Sequence, residues 1–138
     1  MSTLTVPSSP SVTRTRRHRR SLVAIESTMA VAGLGGGIML VSGYGTPPVE
    51  ALAPLGLSSW VLPGVWLTAS VAVPSALAAA LAWRGSPWTP RAVMVASALL
   101  GVELLVQIPF LGVNGLQAAM ALVGGTAATL AWRARQTW

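Results

Sequence analysis

The sequence contains no cysteine, no lysine and no aspartate, and only one histidine, one tyrosine and one phenylalanine among 138 residues. Each absence removes a chemistry. Without cysteine there are no disulfides, thiolate nucleophiles or cysteine-held metals. Without aspartate, and with His18 as the lone histidine, these residues cannot assemble a Ser-His-Asp triad. Glu26, Glu50 and Glu103 are too scattered in sequence to read as a metal-ligand cluster. The glycines at 33 and 35–37 lie inside an apolar run, not between a strand and a helix, so they do not read as a phosphate cradle. The expectation is a protein that is not an enzyme and holds neither metal nor cofactor. Charge is scarce as well: 9% of residues carry one, against about 25% in a soluble domain.

What fills the chain is apolar. Hydrophobic residues make up 53% of it, in long runs separated by short polar breaks, which is the composition of a multi-pass membrane protein. All nine basic residues are arginines, giving a net charge of +6. Five of them, Arg14, Arg16, Arg17, Arg19 and Arg20, stand directly before the first apolar run. That placement follows the positive-inside rule and makes anionic lipid headgroups the expected contact. No aromatic-interleaved basic surface is visible, so no nucleic-acid partner is expected.

The pattern divides the chain in two. Residues 1–20, rich in Ser, Thr, Pro and then Arg, read as a disordered basic cytoplasmic tail. Residues 21–138 read as a transmembrane domain with spans near 22–44, 59–83, 92–113 and 116–132. A basic stretch before an apolar run also describes a secretory leader, but this run is long and no A-x-A closes it, so a retained helix is expected. Glu26 is close enough to the arginine block to pair with it at the interface. Residues 45–58, with three prolines, read as an outer loop, and Pro74 inside the second span should kink it, with Ser70 and neighbouring helices able to satisfy the freed carbonyl. Three arginine-bearing segments alternate with two arginine-free loops. The fold expected is therefore an all-α membrane four-helix bundle with both termini in the cytoplasm, in the plasma (inner) membrane.

Three short motifs carry a resemblance. Trp60-Val-Leu-Pro-Gly64 opens one span, Val106-Gln107 followed by Gly112 closes the next, and Gly115-Leu-Gln117 opens the last. Over roughly Leu22 to Trp132 the chain resembles a widespread group of small four-helix bacterial membrane proteins. The resemblance implies the same architecture and brings no activity with it.

Two features remain as candidate sites. Glu103 lies mid-span, where an acid is costly. Gln107 is one turn away on the same face, and Gln117 opens the following span. With no arginine at matching depth, Glu103 is expected to be hydrogen-bonded, either as a clamp between helices or as a proton or cation site. Gly33, Gly37, Gly124 and Gly125 mark faces where helices can approach closely. The leading functional expectation is a non-enzymatic accessory subunit that packs through such Gly/Ala faces in a homo-oligomer or a larger membrane complex. The alternative is a small proton-coupled transporter or channel built on Glu103.

Overall fold

The computed structural model describes residues 10–135. Residues 1–9 and 136–138, Trp138 among them, lie outside the described residues, as does the side chain of Arg14. The described chain is 84% helix and contains no strand. Its α-helices are α1 (Pro10–Ser42), α2 (Val61–Leu67), α3 (Val73–Arg84), α4 (Thr89–Leu111) and α5 (Gly115–Ala134). A 3-10 helix, Val49–Leu55, follows α1, and a π turn, Thr68–Ala72, joins α2 to α3 in one continuous rod. Three stretches, Arg16–Ser42, Val61–Arg84 and Thr89–Leu111, are long and apolar enough to cross a membrane. α5 is not among them. Gln117, Gly124, Gly125, Thr126 and Thr129 dilute its apolar content.

α1 begins earlier than the sequence suggested. It takes in the whole arginine block, so residues 10–20 are helical. The reason is cooperative: arginine is a good helix former, and extending an existing helix avoids a second nucleation cost. The helix stops at Gly43, whose φ of 73° no side-chain-bearing residue adopts readily. The loop that follows is more ordered than its prolines implied. Pro54 sits inside the 3-10 helix, and Leu52 is turned inward and buried.

Apolar attraction cannot drive these helices together in lipid, so close packing of small residues must do it. That is what the contacts show. At one end Leu22 packs with Ala78, Ala82, Val93, Ala96, Ala127 and Ala131. Further along, Met29, Val71 and Leu100 form a second buried layer. Beyond it α1 and α2 cross at Gly37 and Gly64, where a β-carbon on either residue would meet the carbonyl of the other at 2.8–2.9 Å. Large apolar side chains such as Val31, Ile38, Leu77, Leu105 and Leu122 face outward, which suits a lipid-facing perimeter.

The antiparallel packing also sorts the charge. Leu22 of α1 meets the C-terminal half of α3, and Ala96 of α4 meets the C-terminal half of α5. The start of α1, the α3–α4 link and the end of α5 therefore share one end of the molecule, with the Arg19 guanidinium beside Gly85. Arg91 lies over the Trp88 ring at 4.8 Å, and Arg135 over Trp132 at 3.2 Å. Such stacking holds a cation at an aromatic face without an acidic partner.

Candidate membrane-embedded acid site

On α4, residues Val93, Ala96, Leu100 and Glu103 are all buried. Their spacing of three and four puts them on one helical stripe that faces the other helices. Glu103 is only 6% exposed, so its carboxyl needs partners. It has two. Gln107 Nε2 donates to Oε1 at 3.0 Å, from one turn along the same helix. Ser70 Oγ lies 3.3 Å from Oε2, reaching across from the π turn. The same hydroxyl lies 2.8 Å from the Trp66 carbonyl. Ser70 has one hydrogen for these two acceptors.

Pro74 explains why Ser70 stands where it does. Proline has no N–H, and its ring collides with the carbonyl four residues back, which is that of Ser70. Here the chain passes the proline through a π turn, with the Val73 N–H reaching back to the Thr68 carbonyl. Such a wide turn is a known way for a membrane helix to absorb a proline. The expectation that the Ser70 hydroxyl would satisfy the freed carbonyl is corrected: it serves Trp66 and Glu103 instead.

Glu103 also borders open space. A cavity of about 490 Å³ lies between it and the 3-10 helix, at the end of the molecule away from the arginines. Leu40, Leu52, Leu55, Trp60, Trp66 and Phe110 contribute apolar wall, and Glu103 and Gln107 are its acidic and amide groups. Trp60 is fixed by its indole N–H, which donates to the Pro47 carbonyl at 2.8 Å and so ties the loop to the start of α2. This is the usual make-up of a small-molecule site: an apolar pocket with a few convergent polar groups.

The other residues singled out from sequence are placed as follows. Gln117 is spent on its own helix, closing a reciprocal cap with Asn114 at the start of α5. It does not bond Glu103, and its buried Nε2 has no hydrogen-bond partner among the described residues. Gly33 packs against Val71 and Ala72, Gly37 against Thr68 and Gly64, and Gly124 against Leu100, all within the chain. Gly125 faces open space. Arg16, Arg17, Arg19 and Arg20 are exposed along the first turns of α1. Glu26 does not reach toward them. It is 2% exposed, with the buried Ser75 of α3 beside it. The reason is rotational. Glu26 shares the inward stripe of Leu22 and Met29, whereas Arg19 and Arg20 lie on exposed faces.

Sequence reasoning missed Ser75 as a site residue, and Trp60 and Trp66 as cavity walls. The spacing of Glu26 with Leu22 and Met29 was the available signal for the first. Nothing local marks the second, because the 3-10 helix that roofs the cavity folds back from a proline-rich loop.

Three helical stretches long and apolar enough to cross a membrane fit a helical membrane protein. No family model matches it, and neither a curated protein nor a solved structure matches it.

Proposed function

We propose that the chain crosses the inner membrane four times, α5 included, with both termini in the cytoplasm, and that it acts as a small proton-coupled carrier or channel through Glu103. The observation that carries this reading is the position of Glu103: buried, bonded by Gln107 and Ser70, and yet part of the wall of a 490 Å³ cavity. A purely structural clamp has no need of that opening. An intramembrane acid beside a cavity is the arrangement in which a solute and a proton can compete for one group. Support for the accessory-subunit reading is thinner. Gly33, Gly37 and Gly124 are occupied by contacts inside the chain, which leaves Gly125 as the outward-facing member of that set.

The test uses the full chain reconstituted in vesicles with a trapped pH dye and a potassium gradient clamped by valinomycin. Wild-type protein should pass protons down the imposed potential. Glu103→Gln keeps size and hydrogen bonding but cannot titrate, and should reduce the flux to that of protein-free vesicles while eluting normally in detergent. Equal flux in the two proteins, or none in the wild type, sinks the reading.

A further inference from the structure

The cavity beside Glu103 has an inner end. α4 runs away from the arginine-bearing end, and Glu103 is the first of its residues to enter the cavity wall, ahead of Gln107 and Phe110. α2 runs the other way, and Trp66 is its last residue in the wall. Glu103 and Trp66 therefore share the inner end. Ser70 ties them together, its Oγ 2.8 Å from the Trp66 carbonyl and 3.3 Å from Glu103 Oε2. Leu100, the preceding buried residue of the α4 stripe, packs with Met29 and Val71, so the cavity stops at the acid.

The wall selects its occupant. Apart from Glu103 and Gln107 it is built of Leu, Val, Pro, Trp and Phe. The Trp60 indole N–H is held by the Pro47 carbonyl, and Gln107 Nε2 by Glu103 Oε1. Each Glu103 oxygen receives one bond and has a second lone pair to offer. No basic residue lines the cavity, so an anion has no partner there. A solute rich in hydroxyls would leave them unpaired against apolar side chains. A hard cation such as calcium takes six or more oxygens, more than an acid and an amide supply. What fits is a large apolar body carrying one weakly hydrated positive charge. The charge meets Glu103, and the aromatic rings attract it as well. About 490 Å³ is the volume of a site for a drug-sized molecule.

No other titratable group competes for such a charge. α1 has none between Glu26 and Tyr44, the rod from Val61 none before Arg84, and α5 none before Arg133. On α4 the other one is Arg91, at the opposite end. Tyr44 and Glu50 of the loop are exposed and lie outside the wall.

We propose that the cavity binds lipophilic monovalent cations with Glu103 as counter-ion, and that cation and proton exclude each other there. This names the solute of the carrier reading and rests on that reading's choice of Glu103 as the titrating group. A cation entering the protonated site displaces one proton from the carboxyl to water and leaves a neutral ion pair. The reverse exchange restores the acid.

The probe is tetraphenylphosphonium, titrated calorimetrically into the purified full chain in dodecyl maltoside. It should bind more tightly as pH rises, by up to about tenfold per unit. Triphenylphosphine oxide, neutral and of similar shape, should bind at least about thirtyfold more weakly, and Glu103→Gln should weaken the cation by as much. Equal binding of the charged and neutral compounds overturns the proposal, as does a folded Glu103→Gln protein that binds like the wild type. Should that variant fail to elute normally, the wild type decides alone, and an affinity that does not move with pH overturns the proposal. The vesicle assay separates the two readings. Glu103-dependent proton flux without cation binding overturns the cation site and leaves proton passage standing. Cation binding that depends on Glu103 and on pH, without flux, upholds the site and ends transport.

Discussion

At the scale of single residues, the tightest point in the molecule is the crossing of Gly37 with Gly64. A β-carbon at 37 would collide with the Thr68 hydroxyl and the Gly64 carbonyl, the one at the start of the π turn and the other in α2. Neither neighbour can move far, because the Thr68 hydroxyl is itself bonded to the Gly64 carbonyl at 3.0 Å. Gly37→Val should therefore destabilise the protein by about 1–3 kcal/mol, the usual cost of overpacking. Thermal unfolding in detergent measures it, with Gly125→Val as the control, since nothing lies within 4 Å of a β-carbon there. A Gly37→Val protein as stable as that control would show that α1 and α2 do not meet at this point. The two buried acids follow the same logic of local geometry. Each sits on an inward stripe beside a buried serine, and Ser70 and Gln107 bond the Glu103 carboxyl where no arginine reaches.

At the scale of elements, most of the helices can be read from the sequence, and the exceptions have physical causes. The apolar runs place α4 and the rod from Val61 to Arg84 within a few residues, because length and hydropathy decide membrane helices. The start of α1 was not legible, since an arginine-rich segment reads equally as a solvated tail or as the first turns of a helix already nucleated downstream. The 3-10 helix was hidden for a different reason: Leu52 is held by burial under the cavity roof, a contact no local pattern announces. Pro74 did announce an irregularity, and the chain resolved it as a π turn that aims Ser70 at Glu103. The Glu103–Gln107 pair was visible from its spacing of four, whereas the Ser70 and Ser75 contacts needed the relative rotation of three helices. At α5 the reciprocal cap of Asn114 and Gln117 sets the helix start, with bonds of 3.0 and 3.2 Å. Asn114→Ala should cost about 1 kcal/mol, and hydrogen exchange should show the Gln117 amide, which donates to the Asn114 side chain, losing protection while those of α4 keep theirs. Unchanged exchange at the start of α5 would contradict the cap.

At the scale of the whole molecule, everything depends on the orientation of one bundle. The arginines and three exposed tryptophans, Trp83, Trp88 and Trp132, gather at one end, and the cavity with Glu103 lies toward the other. If α5 crosses with the rest, the arginine end faces the cytoplasm and the cavity lies in the outer half of the membrane. The absence of cysteine makes this directly measurable, because single cysteines can be introduced without removing any native one. Ser58→Cys, Val113→Cys, Ser86→Cys and Arg135→Cys, each in the full chain, would be exposed in right-side-out vesicles to a maleimide that cannot cross the membrane. Four crossings predict labelling at 58 and 113 from outside, and labelling at 86 and 135 only after the vesicles are opened. Labelling of Arg135→Cys from outside together with Val113→Cys would mean that α5 does not cross, and would contradict the account.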